Sequence, residues 1–433
     1  MLPAPAEDVK QRPLQRFLAP FAASRAFLFL WLGHMVSFLG SSITMVILPV
    51  LIYSLTGSTT IMGMIMAAYM LPNVIMLPIS GHIVDKYDRV RIMMLADVAR
   101  FLIMAATAVL SLTGVLSIPM LYVLFAIYGL LDGLFQPAYA AMRATVFTPD
   151  IRIAANSLTQ MTTQAIRLLG PSLGGLLVTH FAAGTGFGLD AFSYLISLVC
   201  LIFLRRVLTG RYNAASAPAA VQTAVPVKER IAGHWKGDFK EGLAVLRSHP
   251  WLWITILAFS FINICYGGVT TVLVPWLFKV HHGWSPSVYG LALTFSGVGA
   301  LCAGFIYGLR SSWKHRGWMA YGGVLLSGLA LLALPFAPNP AVAIALFALD
   351  GFGLMIFGLI WEISLQELVP QEAFGRVASL DMLGSFALLP VGYIVVGSLA
   401  DAFGGIITMA LFALAGIACT ALVLMNPAIR KFQ

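Results

Sequence analysis

Residues 81–91 read GHIVDKYDRVR, a short charged segment that joins two long apolar runs near residues 60–82 and 91–113. Each run is long enough to cross a hydrocarbon core of about 30 Å as a helix. The same alternation of apolar run and short connection continues in both directions along the chain. It predicts an all-α membrane protein with twelve spans, near residues 27–55, 60–82, 91–113, 118–142, 153–180, 186–205, 250–278, 286–309, 317–337, 341–366, 373–399 and 403–425.

The composition of the 433-residue chain is that of a protein embedded in lipid. Charged residues make up 10% of the chain and hydrophobic residues 60%, and the mean hydropathy is +0.90. Ordinary soluble domains carry about 25% charged residues, and a soluble fold of this length lacks the interior volume to bury so much apolar surface. The composition therefore excludes a soluble enzyme, a secreted module and a soluble nucleic-acid-binding protein.

The cationic residues follow the connections in a regular alternation. They occupy the N-terminal segment and then every second connection, which include Lys86 with Arg89 and Arg91, and Arg143 with Arg152. Because cytoplasmic loops carry the excess of Lys and Arg, this pattern predicts a multi-pass protein of a prokaryotic plasma membrane with both termini in the cytoplasm. Topology thus accounts for the net charge of +9, and no nucleic-acid partner is expected.

The apolar pattern divides the chain into two halves of six spans. We expect an N-terminal tail at 1–26, a first bundle at 27–205, a cytoplasmic linker at 206–249, a second bundle at 250–425 and a C-terminal tail at 426–433. Within the linker, Trp235, Phe239 and Leu243 recur at helical spacing beside basic residues, which indicates an amphipathic interfacial helix. Similar Pro- and Gly-containing segments near 148–174 and 369–392 indicate that the halves are related repeats.

Several kinds of site are missing from the sequence. The four cysteines, Cys200, Cys265, Cys302 and Cys419, lie within predicted spans without CxxC spacing, so we expect packing roles and neither a disulfide nor a metal site. There is no phosphate-binding loop of the ATPase type and no catalytic motif. We therefore expect no enzyme activity and no cofactor.

Ionisable residues within the predicted spans are the strongest functional candidates. A charge at mid-bilayer costs at least ~2.5–3.5 kcal/mol, so it is retained for a purpose. Asp132 lies inside span 4 and Asp350 inside span 10, and either carboxyl group can take up and release a proton as its access to water changes. We expect Asp132 to be the main proton-coupling acid, Asp350 the second and Arg167 a counter-ion. The alternative is a static ion pair of Asp132 with Arg100 or Arg167.

The segment at 81–91 resembles the loop motif of the major facilitator superfamily, Gly-x-x-x-Asp-(Arg/Lys)-x-Gly-(Arg/Lys)-x-(Arg/Lys). The resemblance assigns this motif to Gly81, Asp85, Lys86, Arg89 and Arg91, with Asp88 in place of the second glycine. It implies that Gly81 permits a close helix approach and that Asp85 binds the N-terminus of the eleventh helix to close a cytoplasmic gate. The alternative is a basic loop that only fixes topology.

A second stretch resembles the Gly-Pro motif of the superfamily's drug/proton antiporters. It comprises Gly170, Pro171, Gly174 and Gly175 in span 5, for which ordinary small-residue packing is the alternative. The stretches at 135–138 and 374–377 resemble the branch that contains macrolide efflux proteins and the enterobactin exporter.

The resemblance implies two pseudo-symmetric six-helix bundles whose spans 1, 4, 7 and 10 line a central cavity. Polar side chains at helical spacing on three of these spans would then converge as a substrate site. They are His34, Ser37, Ser41, Gln136, Tyr139, Asn263, Tyr266 and Thr270.

The expected function is export of an amphipathic small molecule, such as a drug, siderophore or lipid-like compound. The expected partners are that substrate, protons and the lipid bilayer, with a proton gradient as the energy source and a monomer as the working unit. The alternatives are a proton-independent facilitator, an importer, or a non-transporting sensor on the same fold.

Overall fold

A computed structural model describes residues 19–215, 246–309, 315–369 and 371–430, without the side chains of 210–215 and 371–376. The predicted N-terminal tail and the predicted amphipathic helix of the linker fall largely outside these ranges. In the described part, the helices are α1 (Arg25–Thr56), α2 (Thr59–Lys86), α3 (Arg89–Leu112), α4 (Ile118–Val146), α5 (Arg152–His180), α6 (Ala183–Ala215), α7 (Pro250–His281), α8 (Pro286–Gly308), α9 (Arg316–Ala333), α10 (Pro340–Leu368), α11 (Gln371–Phe386), α12 (Leu389–Phe403), α13 (Gly405–Met425) and α14 (Pro427–Arg430).

The helix ends follow from local sequence. Ser58 begins α2 by accepting a hydrogen bond from the N–H of Ile61, and Asp88 begins α3 by accepting one from the N–H of Arg91. Such caps satisfy backbone donors that the first helical turn leaves free. Asp88, which departs from the family motif, is therefore the residue that starts the third span.

Helix α5 is the most polar of the spans. Eleven spans among the described residues are apolar and long enough to cross a membrane by composition alone, and α5 is not one of them. Its 29 residues nevertheless extend about 43 Å at 1.5 Å per residue. It packs between α1 and α8 through a buried stripe that includes Gly170, Gly174 and Gly175, while other positions such as Met161 and Leu176 are exposed. With α5, and with α11 and α12 forming one broken span, the prediction of twelve spans in an all-α membrane fold is confirmed.

The spans form two bundles. In the first, α1 packs on α5 and α6, α2 on α4, and α3 on α6; in the second, α10 packs on α8 and α9, and α9 on α13. The main contacts between bundles are α5 with α8 and α2 with α12. The boundaries differ slightly from expectation, since α6 continues past residue 205 to Ala215, and the C-terminal α14 packs on α9 through the buried Ile429.

The two ends of the molecule differ in charge. We call the end with Lys86, Arg89 and Arg152 the basic end, and the opposite end, with Gly57, Thr113 and Gly404, the neutral end. At the neutral end, Gly397 of α12 lies so close to α2 that a Cβ there would overlap the carbonyl oxygen of Thr59. Small residues thus bring the two bundles into backbone contact at this end.

The basic end is arranged differently from the expectation for a closed gate. Asp85 and Lys86 are exposed, and a Cβ added at Gly81 would meet no described heavy atom within 4 Å. The expected close helix approach at Gly81 is therefore not made in this conformation. Arg89 instead donates to the hydroxyl of Thr145 on α4, at 3.2 Å. In this conformation the motif residues Gly81, Asp85 and Lys86 are exposed at the surface, whereas the bundles contact each other at the neutral end.

Candidate functional site

The first bundle encloses a cavity of about 300 Å³ that we call the N-bundle cavity. Helices α1 to α5 line it, and Leu293 of α8 is the contribution of the second bundle. The structure brings together six of the predicted residues here: His34, Ser37 and Ser41 of α1, Asp132 and Gln136 of α4, and Pro171 of the α5 motif. The rest of the wall combines apolar side chains, including Phe38, Met45 and Phe135, with the polar side chains of Ser42, Tyr69, Arg100 and Tyr128. Polar groups that converge between apolar walls are typical of small-molecule sites.

Asp132 belongs to a three-residue ion-pair cluster. The guanidinium of Arg100 lies 2.6 Å from a carboxylate oxygen of Asp97 and 3.1 Å from one of Asp132. Arg100 and Asp97 are buried, whereas the Asp132 side chain is 19% exposed and lines the cavity. The hydroxyl of Tyr69 donates to the second Asp132 oxygen at 2.8 Å. Of the two alternatives for a paired Asp132, the structure shows the pair with Arg100.

Arg167 is not part of this cluster. Its side chain is exposed and forms no ion pair with a described residue, so the expected contact with Asp132 is corrected. Arg100 takes the place expected for Arg167, because α3 packs on α4 and presents Arg100 to Asp132. The guanidinium of Arg100 lies between two aromatic rings. Its guanidinium carbon lies 3.9 Å from the ring centroid of Phe135 and 4.8 Å from that of Tyr194. Cation–π contacts of this kind stabilise a desolvated guanidinium.

The cluster carries more acid than base. With its three members ionised, two carboxylates face one guanidinium, which leaves one negative charge beside the cavity. Asp132 is the most exposed of the three side chains, at 19% against 4% for Arg100 and 0% for Asp97. A proton or a cation that enters the cavity would therefore meet the excess charge at Asp132.

Asp190 of α6 is a buried acid that the sequence reasoning missed. Thr44 donates to one of its carboxylate oxygens at 2.6 Å and Ser193 to the other at 3.3 Å. It lies near the predicted start of span 6 and was therefore not counted among intramembrane acids, although α6 already begins at Ala183. The useful signal was an aspartate at the start of an otherwise apolar run.

A cluster of hydroxyl groups lies at the wall of the N-bundle cavity. The Tyr128 and Tyr194 hydroxyls are 2.6 Å apart, and the Ser41 hydroxyl is 2.8 Å from that of Tyr194. Ser41 and Tyr128 line the N-bundle cavity. Hydroxyls both donate and accept hydrogen bonds, so this cluster is able to reorganise when a neighbouring carboxyl group changes its protonation.

The rings of His34 and Tyr139 are in close, tilted contact beside the cavity. Their ring centroids are 3.8 Å apart, and Phe135 stacks with both. The Nδ1 atom of His34 and the hydroxyl of Tyr139 have no hydrogen-bond partner among the described residues. His34 lines the cavity, as predicted. Tyr139 does not line it and instead packs behind His34.

The predicted polar residues of the second bundle do not line the N-bundle cavity. Asn263 donates to the carbonyl of Ser385 at 3.0 Å and lines a separate pocket. Tyr266 is buried with its ring against Gly416, and the hydroxyl of Thr270 bonds to the carbonyl of Tyr266 on its own helix. The expected convergence of spans 1, 4 and 7 is corrected. The cause is the winding of α7, whose residues 263–267 and 269–273 are π-helical, so that α-helical spacing no longer keeps side chains on one face.

Asp350 is buried in the core of the second bundle. It accepts a hydrogen bond from the hydroxyl of Ser327 on α9. It does not border the N-bundle cavity, so the two predicted coupling acids lie in separate places.

The Gly-Pro motif of α5 forms helix contacts on two sides. A Cβ at Gly170 would overlap the hydroxyl of Ser42 on α1, and one at Gly175 would lie 2.9 Å from the carbonyl oxygen of Pro286 on α8. A hydrogen bond of 2.6 Å between Ser172 and Thr294 adds to the α5–α8 contact. The structure thus shows close helix packing, which was the alternative interpretation of this motif. The contacts of the motif with α8 join the two bundles.

Asp401 of α12 forms hydrogen bonds in the second contact between the bundles, that of α2 with α12. Its carboxylate accepts hydrogen bonds from the backbone N–H groups of Thr59 and Thr60, at 2.9 and 3.0 Å, and from the hydroxyls of Ser58 and Thr59. These donors form the start of α2, so an acid from the second bundle caps a helix of the first. Nearby, the Tyr53 hydroxyl donates to the carbonyl of Val272.

Comparison of the sequence with known protein families identifies the family of this chain. Residues 30–387 match the Major Facilitator Superfamily. The chain belongs to this superfamily. The prediction made from the motif at 81–91 is thereby confirmed, together with the membrane transporter class.

Named relatives include exporters. The chain is 28% identical over 338 residues to the uncharacterised MFS-type transporter YfiS of Bacillus subtilis, with 76% of each chain covered. It is 26% identical to the multidrug efflux pump Tap of Mycolicibacterium fortuitum (84% of this chain and 87% of the relative) and 21% identical to macrolide efflux protein A of Streptococcus pyogenes (87% and 89%).

Solved superfamily structures share the fold. A bacterial homologue of the iron transporter ferroportin in its inward-facing state matches with a TM-score of 0.68 and 17% identity, covering 93% of this chain and 99% of that one. A peptide transporter POT in complex with sulfate matches with a TM-score of 0.68 and 16% identity, covering 97% and 99%. At these identities the likeness concerns the fold alone.

Proposed function

We propose that this superfamily transporter exports amphipathic small molecules across a prokaryotic plasma membrane in exchange for protons. The basic end lies in the cytoplasm, as the distribution of Lys and Arg favours. The neutral end, where Asp401 caps α2, is closed in this conformation, and the unengaged motif at Asp85 faces the cytoplasm. The protein then receives substrate from inside and works as a monomer.

The observation that carries this proposal is the partly exposed Asp132 in the wall of the N-bundle cavity. Its cluster holds one carboxylate more than it holds cations, and that charge borders the cavity. A proton that binds Asp132 removes the excess charge, and a substrate with a cationic group does the same. The two therefore compete for one site, which couples their movement in opposite directions. The efflux names of two relatives support the outward direction.

Asp350 is proposed as a second protonation site. It is buried, its described partner is the neutral Ser327, and no described cation pairs with it. A buried carboxyl group without a counter-charge favours the protonated form. Its protonation would then follow the conformation of the second bundle rather than substrate binding in the first.

The test is proton movement in proteoliposomes that contain a pH-sensitive dye. A panel of macrolides and other amphipathic drugs is added outside, and uptake and pH change are followed together. We expect a substrate-dependent pH change that Asp132→Asn abolishes. Asp88→Asn is the matched control, because it removes an exposed aspartate while an asparagine still caps α3.

Each other outcome identifies a rival function. Transport without a pH change would show a proton-independent facilitator, and accumulation driven by an inward proton gradient would show a proton-coupled importer. Binding without any flux would favour a sensor. Full coupling in Asp132→Asn would remove Asp132 from the mechanism.

A further inference from the structure

The second bundle contains a separate pocket of about 180 Å³, which we call the C-bundle pocket. It lies between the first part of α7, the last part of α10 and α11, toward the basic end. It shares no lining residue with the N-bundle cavity. The proposed transport mechanism does not use it.

The wall of the C-bundle pocket is built from aromatic rings. The rings of Phe259 and Phe357 are stacked with their centroids 3.8 Å apart, and Phe357 stacks in turn on Trp361 at 6.0 Å. Trp251 supports Trp361 from behind through an edge contact at 5.6 Å. The faces of aromatic rings are electron-rich and attract cations.

One acid, Asp381 of α11, lines the pocket beside these rings. The indole N–H of Trp361 donates to one carboxylate oxygen at 3.0 Å, and the hydroxyl of Ser385 donates to the other at 3.2 Å. Both donors are neutral. Among residues whose side chains the structure describes, no cation lies within 4.0 Å of this carboxylate. These hydrogen bonds fix the orientation of Asp381, and none of the described side chains that contact it carries a positive charge.

We propose that the C-bundle pocket binds the ammonium head group of an organic cation. The rings supply cation–π attraction and Asp381 supplies the counter-charge, the two features that recognise a substituted ammonium group. The volume suits a head group rather than a whole drug, since drug-sized sites span about 300–1,000 Å³. The remainder of an amphipathic cation would extend out of the pocket.

The implied substrate class of amphipathic amines rests on the proposed export function. The binding itself does not, because it is measurable without transport. An ammonium site near the basic end gives a cationic substrate a first docking place before it reaches Asp132. The N-bundle cavity and the C-bundle pocket then act on the same molecules.

The test uses radiolabelled choline as the probe and the full chain in nanodiscs of phosphatidylethanolamine and phosphatidylglycerol, which lack choline. Equilibrium dialysis measures binding. Unlabelled choline should displace the label, whereas 3,3-dimethylbutan-1-ol, in which carbon replaces the quaternary nitrogen, should not. Asp381→Asn should weaken choline binding about tenfold or more. Glu362→Gln is the matched control, since Glu362 is an exposed acid beside Trp361 that does not line the pocket.

A second variant protects the test against misfolding of Asp381→Asn. Phe259→Leu keeps an apolar wall and removes one ring face, so choline binding should again weaken while the thermal unfolding midpoint changes little. Equal displacement by choline and the neutral alcohol would overturn the proposal. So would choline binding that is lost in Asp132→Asn and kept in Asp381→Asn. Choline binding that depends on Asp381 in a protein without proton flux would uphold the pocket and reject only the proton-coupled function.

Discussion

The carboxylate of Asp401 accepts a hydrogen bond of 2.9 Å from the backbone N–H of Thr59, across the interface between the two bundles. Gly397, one helical turn earlier, lies against the carbonyl of the same Thr59. The spacing Gly-x-x-x-Asp at 397–401 repeats that of 81–85. Helices α2 and α12 thus each carry the same pair of residues near one end, at opposite ends of the molecule. Among the described residues, the pair on α12 contacts a facing helix and the pair on α2 does not.

Loss of the Asp401 carboxylate should open the neutral end. A helix cap is worth about 1 kcal/mol, so Asp401→Ala should change the ratio of closed to open conformations roughly fivefold. Spin labels at Ser54 and Phe403, in a background without the four native cysteines, would report the distance across this end. Asp401→Asn keeps a capping oxygen and should have a smaller effect. Unchanged distance distributions in both variants would mean that Asp401 does not hold the gate.

Loss of the Asp85 carboxylate should act in the opposite direction. Asp85 is exposed in this conformation, so Asp85→Asn should leave the stability of this conformation unchanged. The substitution should destabilise only a conformation in which the basic end is closed. The same labels should then show a larger closed fraction at the neutral end. The double variant with Asp401→Ala should return toward the parent distribution, because the two effects have opposite signs. A double variant as open as Asp401→Ala alone would contradict this.

Removal of the Arg100 guanidinium should destabilise the first bundle. Arg100→Met leaves two carboxylates without a counter-charge, and breaking a buried ion pair on one side costs about 3–5 kcal/mol. Thermal unfolding in detergent should show a clear decrease of the midpoint. Arg167→Met removes an exposed arginine and serves as the control, with no expected decrease. Equal midpoints for the two variants would show that the cluster adds nothing to stability.

The sequence was sufficient for the fold because lipid imposes a simple rule on it. Each span must be apolar and long, and each connection at the basic end carries cations, so the boundaries of α2, α3 and α4 were predicted within a few residues. The motif at 81–91 added the family. Asp132 was found because it is an ionisable residue within an apolar span, and Gln136 because it follows one turn later on a regular α-helix.

The remaining features depend on which helices become neighbours. The partner of Asp401 lies 342 positions away in the chain, and nothing local to either residue indicates the other. The π-helical winding of α7 similarly removed Tyr266 from the face predicted by α-helical spacing. Arg100 replaced Arg167 beside Asp132 because the packing of α3 on α4, rather than the number of arginines, decides which cation reaches the acid.

The contact between α5 and α8 leads to a last prediction, on Gly290. A Cβ at this position would overlap the carbonyl oxygen of Pro171, so Gly290→Ala must push the bundles apart at the neutral end or strain both helices. Overpacking of this kind costs about 1–3 kcal/mol. The closed neutral end should therefore become less populated, which the label pair at Ser54 and Phe403 measures.

The control for Gly290→Ala is Gly322→Ala on α9. Gly322 is also helical, but a Cβ there meets no described heavy atom within 4 Å, and alanine in an exposed helical position stabilises by about 0.4–1 kcal/mol. The two substitutions add the same methyl group, so a difference between them isolates the interface. If both shift the distance distribution equally, the neutral end does not close through the α5–α8 contact, and the remaining contacts between the bundles, which include the Asp401 cap, must hold it.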